Sequence, residues 1–287
     1  MMTGRGEPLP LLAIGGSDSG GAAGIQADLK TWCALGVYGM SALTVVTAQN
    51  SVEVAEALFL PAPFVARQVQ VVLADYGAAA IKTGFLGEAA IVEAVAGEIA
   101  SARAGGGTGM PTVVDPVLVN HRGEAMFPAA VTAAYRRHLL PLSDLITPNR
   151  REVALLLADE DSDRLSVESV DDMATAARRL HAGGARSVLV KGGREGSDVI
   201  DVFFDGRAIT LLRQSSIDSA NTHGSGDTLS AAISAFLARG DRMLEAVQKA
   251  RRITREALAG SAEWAIGQGH GPLDHARIAR DYLAPAP

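Results

Sequence analysis

The stretch Asn221-Thr222-His223-Gly224-Ser225-Gly226-Asp227-Thr228 runs straight into a segment with apolar residues at Leu229, Ile233, Phe236 and Leu237, the spacing of a buried helix face. Two glycines let the backbone turn tightly and approach a ligand without Cβ clashes. The first turn of the helix leaves N–H groups without intrahelical acceptors, and the helix dipole adds positive character there. That is an anion site made from backbone. Asp227 lies inside it, a carboxylate where a phosphate would bind. A base beside an anion cradle suits deprotonation of a hydroxyl as it attacks a phosphoryl group. The same residues also read as an N-capping Asp in an ordinary Gly-Ser-Gly loop. The rest of the chain has to decide.

Working outward, short β-type runs alternate with helical patterns. Strands are expected at 11–15, 41–48, 79–83, 112–115, 143–147 and 186–191, and helices at 22–35, 62–74, 88–102, 128–140, 150–157 and 168–182. A Gly-rich loop covers 105–109. Runs at 199–204 and 207–212 flank Asp205-Gly206, a hairpin signal, and helices near 227–239 and 241–264 finish the core. Nothing resembles a linker or repeat, so residues 1–287 read as one domain with a flexible N-terminus at 1–9. Continuous β/α alternation predicts an α/β fold, one mostly parallel sheet with helices on both faces. Ligands in such sheets bind beyond the carboxyl ends of the strands.

Composition narrows the function classes. With 287 residues, 48% hydrophobic and 20% charged, the chain can bury a large core. A net charge of −6 and no basic stripe argue against a nucleic-acid binder. The single cysteine, Cys33, excludes an internal disulfide, and its position on the apolar side of helix 22–35 reads as a small buried hydrophobe. Gly15, Gly16 and Asp18 interrupt the apolar run from Leu9 to Ile14 before it takes signal-peptide form, and no run approaches the ~18 apolar residues that span a bilayer. A soluble, cytoplasmic protein with no membrane partner is expected.

The strand ends carry the chemistry. Residues 15–24 after the first strand do not fit Gly-x-Gly-x-x-Gly, no Gly-Lys pair forms a Walker loop, and no Gly-x-Ser-x-Gly elbow exists. The following helix carries Asp28, which by itself reads as a surface residue matching the helix dipole. Gln49-Asn50 ends the second strand with two amides that can read a heteroaromatic edge, or that satisfy a turn. Phe85, after Lys82-Thr83-Gly84, suits stacking on a planar substrate or a place in the core. Asp115-Pro116 ends a strand with a carboxylate able to hold Mg²⁺ through water. After Pro148, Asn149 and Glu152 stand three apart, as part of a Mg²⁺–phosphate site or as a helix-capping pair. Lys191-Gly192-Gly193 suits a phosphate contact. The six histidines form no zinc set, and His223 reads as a loop-ordering residue. Asp115, Asn149, Glu152, Lys191 and 224–227 all fall at one end of the sheet, and together they are the parts of a phosphoryl-transfer site.

Eight segments in order resemble the ribokinase-like superfamily and, within it, the hydroxymethylpyrimidine/phosphomethylpyrimidine kinases of thiamine biosynthesis. They are Ala13 to Asp28, Ala42 to Asn50, Lys82 to Leu86, Asp115 to Val119, Leu145 to Glu152, Val190 to Gly193, Asn221 to Ala232 and Gly267 to His275. The resemblance implies a three-layer α/β fold, ATP and Mg²⁺ as cofactors, and a homodimer. It implies a pyrimidine alcohol bound near Gly16, Asp28, Gln49 and Phe85. Asp227 would act as base with Gly224, Ser225 and Gly226 around the phosphoryl group; Asn149, Lys191 and Thr222 would meet ATP, and Asp115 and Glu152 the metal. The chain departs from the family pattern at Asp227, where Cys is usual and Asp is the superfamily rule. It also departs at Phe85, where Met is usual, and at His121-Arg122, where Lys-Ser is common. A pyridoxal kinase of the same superfamily is the nearest alternative, and a non-catalytic pyrimidine or nucleotide sensor a remote one.

Overall fold

The computed structural model describes residues 7–105, 109–120, 122–158 and 166–283, with only the backbone for 281–283. Its sheet is built from β1 (Pro10–Asp18), β2 (Tyr38–Gln49), β3 (Val54–Phe59), β4 (Ala80–Thr83), β5 (Thr112–Val114), β6 (Leu145–Ile146), β7 (Val188–Glu195), β8 (Asp198–Phe204) and β9 (Ile209–Ser215), in the order β3-β2-β1-β4-β5-β6-β7-β8-β9. From β2 to β7 every pairing is parallel, while β3, β8 and β9 add antiparallel edges. Parallel strands buried on both faces read as continuous apolar runs, and successive residues here split between two cores. Leu12, Ile14, Val114, Ile146 and Val190 face one layer, and Leu11, Ala13, Val113, Leu145 and Leu189 the other.

The first layer packs under α2 (Ala62–Asp75), α3 (Ala89–Ala104), α4 (Ala129–Ala134), α5 (Arg150–Leu157) and α6 (Val170–Ala182). The second packs under α1 (Gly24–Ala34), α7 (Ser225–Ala238), α8 (Met243–Gly260) and α9 (His275–Leu283). Trp32, fully buried, ties α1 to α7 by donating its indole N–H to the Ala231 carbonyl at 2.8 Å. The three-layer α/β architecture is as expected.

The differences from expectation have local causes. β3 was not anticipated because Val-Ala-Glu-Ala-Leu-Phe lacks β-type alternation, and the strand lies exposed on the sheet edge. The helix expected over 128–140 is α4 followed by a π turn, Tyr135–Leu139, and a 3₁₀ turn, Leu140–Leu142; Pro141 has no N–H to continue it. Cys33 is exposed rather than buried. The inward stripe of α1 includes Asp28, Thr31 and Trp32, because Asp28 has a buried cationic partner. The flexible terminus expected at 1–9 falls outside the described residues at 1–6, and Leu9 already accepts from the Tyr38 amide at 2.9 Å. His121 and residues 106–108 of the Gly-rich loop also lie outside the described residues. Among the described residues no helix is long and apolar enough to cross a membrane.

Candidate active site

Gly224 caps α7 with φ of 80°, and a Cβ on it would collide with the Ala22 carbonyl, so only glycine fits. The Ser225 amide donates to Thr222 O at 3.2 Å, which leaves Gly226 and Asp227 to supply the open amides of the first turn. Thr222 itself is exposed. The Asp227 carboxylate accepts from the Gly24 amide and lies 2.9 Å from the Lys82 ammonium. Lys82 is 0% exposed, and its ammonium is also 2.8 Å from Asp28, which is 1% exposed. Burial pushes the Asp227 carboxyl up, but the Lys82 ammonium, the Gly24 amide and the Lys191 charge together outweigh it and hold the pKa below the usual carboxylate value. Asp28 is pushed up to about 7 by burial, against the pull of Lys82 and with help from the Asp227 charge. Burial opposes the charge on Lys82 as well, yet Asp227, Asp28 and Asp115 outweigh it and the ammonium keeps its proton.

A second cluster lies across Gly226. Asp115 accepts from Lys191 Nζ and Thr147 Oγ1, both at 3.1 Å, and from Ser230 Oγ at 3.3 Å. Glu152 accepts from the amides of Asn149 at 2.8 Å and Leu118 at 3.3 Å. Burial drives its pKa up to about 8; Lys191 resists this and Asp115 reinforces it. A Cβ on Gly226 would stand 3.4 Å from both Asp115 Oδ2 and Lys191 Nζ, so the anion loop and this cluster share one space. Asp115 and Glu152 offer hard oxygen donors on one side of Lys191, a donor set that fits a divalent cation, beside which Glu152 would ionise. Asn149 caps α5, accepting from the amides of Arg151 at 2.9 Å and Glu152 at 3.0 Å in a capping box. Its carbonyl oxygen is engaged there, so its amide nitrogen is what remains for a ligand.

The third wall is aromatic and amidic. Phe85 is half-buried, stacked on Phe59 at 6.2 Å between centroids and edge-on to Phe127 at 5.1 Å. A Cβ on Gly16 would approach Val45 Cγ1 to 2.8 Å and the Phe85 ring to 3.3 Å. Gln49 Nε2 lies 3.0 Å from His223 Nε2, and Gln49 Oε1 accepts from Thr47 at 3.3 Å. His223 orders the loop through these contacts and its own amide, which donates to Gly271 O. Asp28 is not a surface residue on this wall; it lies behind Lys82.

Two residues escaped the sequence reading. Asp18 is buried and gathers the amides of Gly20, Ala22 and Ala23 within 2.8–2.9 Å, shaping the loop that receives Gly224. Lys82 is the other. A lysine inside an apolar strand flanked by parallel neighbours has to be paired when buried, and that was the available signal.

Comparison with known proteins fits this arrangement. The family model described as phosphomethylpyrimidine kinase matches residues 18–274. The hydroxymethylpyrimidine/phosphomethylpyrimidine kinase of Streptomyces coelicolor is 42% identical over 268 residues, covering 93% of this chain and 94% of that protein. The chloroplastic thiamine biosynthetic bifunctional enzyme of Arabidopsis thaliana is 43% identical over 92% of this chain, which spans 49% of that longer protein. In solved structures, an ADP complex of Bacillus subtilis pyridoxal kinase superimposes with a TM-score of 0.83 at 34% identity, covering 95% of this chain and 99% of that one. The chain belongs to the phosphomethylpyrimidine kinase family.

Proposed function

We propose that the chain transfers the γ-phosphoryl group of ATP to the hydroxymethyl oxygen of 4-amino-5-hydroxymethyl-2-methylpyrimidine, and then a second phosphoryl group to the monophosphate, in the cytoplasm. The observation that carries this reading is the Asp227 carboxylate in the first turn of α7, paired with Lys82 at 2.9 Å beside open amides, with Gly226 between it and Lys191. Asp227 takes the hydroxyl proton as the oxygen–phosphorus bond forms and the bond to ADP breaks. The amides of Gly226 and Asp227 accommodate charge on the transferring group, and Lys191, Thr222 and the Asn149 amide meet the phosphates. Asp115 and Glu152 would hold Mg²⁺, largely through water, and the ion would neutralise phosphate charge. Gly16, Gln49 and Phe85 form the pyrimidine wall, Gln49 matching the ring's polar edge.

Pyridoxal is the second reading, favoured by similarity to a pyridoxal kinase and by the carboxylate at 227. ADP release measured with the pyrimidine, its monophosphate and pyridoxal separates the two. We expect the highest kcat/KM for the pyrimidine alcohol; a higher value for pyridoxal overturns that choice, and no turnover of any alcohol favours a sensor. We also propose a homodimer through the outer face of β2 and β3, where paired Val46 and Leu58 are exposed with Val54. Sedimentation of a monomer at micromolar concentration would reject it.

A further inference from the structure

Lys82 has no part in the phosphate or metal handling described above, yet it is a fully buried cation touching the proposed base. Its position follows from the fold. β4 lies between β1 and β5, and the Lys82 side chain points to the layer of α1 and α7, where Asp28 and Asp227 project toward each other. The ammonium meets Asp227 Oδ1 at 2.9 Å and Asp28 at 2.8 Å. Gly84 leaves space above it, since a Cβ there would be 3.0 Å from Lys82 Nζ and 3.7 Å from Asp227 Oδ1. Asp28 accepts a hydrogen bond from Lys82 through Oδ2 at 2.9 Å, while its Oδ1, 2.8 Å from the ammonium, is held by charge. A lone lysine in this layer would be expelled or neutralised, and a lone Asp28 protonated.

Taking the functional reading above as its basis, we infer that Lys82 is a positioning residue for the phosphoryl transfer. It fixes the aim of Asp227 from beneath and keeps that carboxylate ionised, while Asp28 holds the same ammonium in place. Lys82 and the Gly24 amide grip the Asp227 carboxylate, which sets the side chain's direction before substrate arrives. The charged or titratable groups facing Asp227 are Lys82 of β4, Asp28 of α1, Asp115 beyond β5, Lys191 of β7 and His275 of α9. Among the described residues only Lys82 is in ion-pair contact with it. Asp28 therefore serves as a second acceptor that holds the Lys82 ammonium in place, and with its pKa raised to about 7 it is neutral where Asp227 titrates.

This arrangement separates the effects of two substitutions. The double variant Lys82→Met/Asp28→Asn removes the ammonium without stranding Asp28, and Asp227 keeps the Gly24 amide and its exposure to the cleft, so the fold is kept. We expect its kcat to fall at least about tenfold and the acid limb of kcat/KM to move to higher pH by about one unit or more. Asp28→Asn alone leaves that limb in place, because Asp28, with its pKa raised to about 7, is already neutral there. KM for ATP changes by less than about twofold in both, because no phosphate contact is lost. A carboxyl-carbon NMR titration of the substrate-free protein, with Asp227 assigned by its loss in Asp227→Asn, reads the same shifts without turnover. A limb and NMR titration that stay in place in the double variant, or that move by the same amount in Asp28→Asn, overturn the inference. If the wild type phosphorylates none of the alcohols, the functional reading fails, whereas the NMR titration still decides the role of Lys82.

Discussion

The site contains two clusters of the same composition, each with two carboxylates and one lysine, and they differ in closure. In the Asp28–Lys82–Asp227 group the ammonium is completely buried and only Asp227 reaches the cleft. In the Asp115–Lys191–Glu152 group the lysine side chain is 17% exposed, and both carboxylates also accept from backbone or hydroxyl donors. Charge in the closed group is fixed by partners that cannot be exchanged for solvent. Charge in the open group can rearrange when a phosphate or cation arrives. On the proposed reading, the first arrangement would hold a base at constant geometry and the second would receive a variable ligand.

The largest expected effect breaks the closed group at its exposed end. Asp227→Ala should lower kcat by about 10²–10⁴-fold, the range for loss of a general base. Stability should change little, because Lys82 and Asp28 remain as a one-to-one pair. Steady-state kinetics beside a thermal melt checks both halves. A kcat within a few-fold of wild type would mean that the hydroxyl needs no base, and the contrast between the clusters would lose its chemical meaning.

The closed region extends beneath Asp227 to His275, whose Nε2 lies 2.9 Å from Thr228 Oγ1. Burial, followed by Lys30, pushes this imidazole down to about 4 from the usual 6.5. The unfolded chain therefore binds a proton there before the folded one does. The associated stability is complete above pH 6.5 and is lost as pH falls toward 4, by at most about 3 kcal/mol. Asp28 acts in the opposite sense: its pKa raised to about 7 gives stability that is full below 3.8 and lost as pH rises through 7. Melting temperatures of wild type and His275→Gln between pH 7.5 and 4.5 isolate the histidine. The wild-type curve should fall more steeply below 6.5, and parallel curves would remove His275 from the closed region.

Much of this was legible in the sequence, for a definite reason. Apolar runs ending in Asp-Pro, Thr-Pro-Asn and Lys-Gly-Gly mark strand ends, and a parallel sheet gathers its strand ends on one side, so Asp115, Asn149, Glu152, Lys191 and Asp227 were bound to meet. What stayed hidden depends on pairing across layers. Asp28 on a helix and Lys82 on a strand are 54 positions apart, and neither local pattern announces the other. The same limit misplaced Cys33, since helical periodicity assumes that apolar residues face inward, whereas α1 turns a carboxylate there. β3 was hidden because edge exposure erases the alternation that identifies a strand.

The smallest expected effect tests whether a cap in the open group also serves as a ligand. Asn149→Ala removes the α5 cap and should cost about 1 kcal/mol, a melting shift of roughly 2–4 °C for a chain this long. It also removes the amide nitrogen that the cap does not use and that is proposed to meet a phosphate, so KM for ATP should rise by about threefold or more. Serine caps a helix but carries no amide. Asn149→Ser should therefore restore the melting temperature and leave KM raised. If serine restores both together, Asn149 acts only as a cap, and the open group binds phosphate through Lys191 and the α7 amides without it.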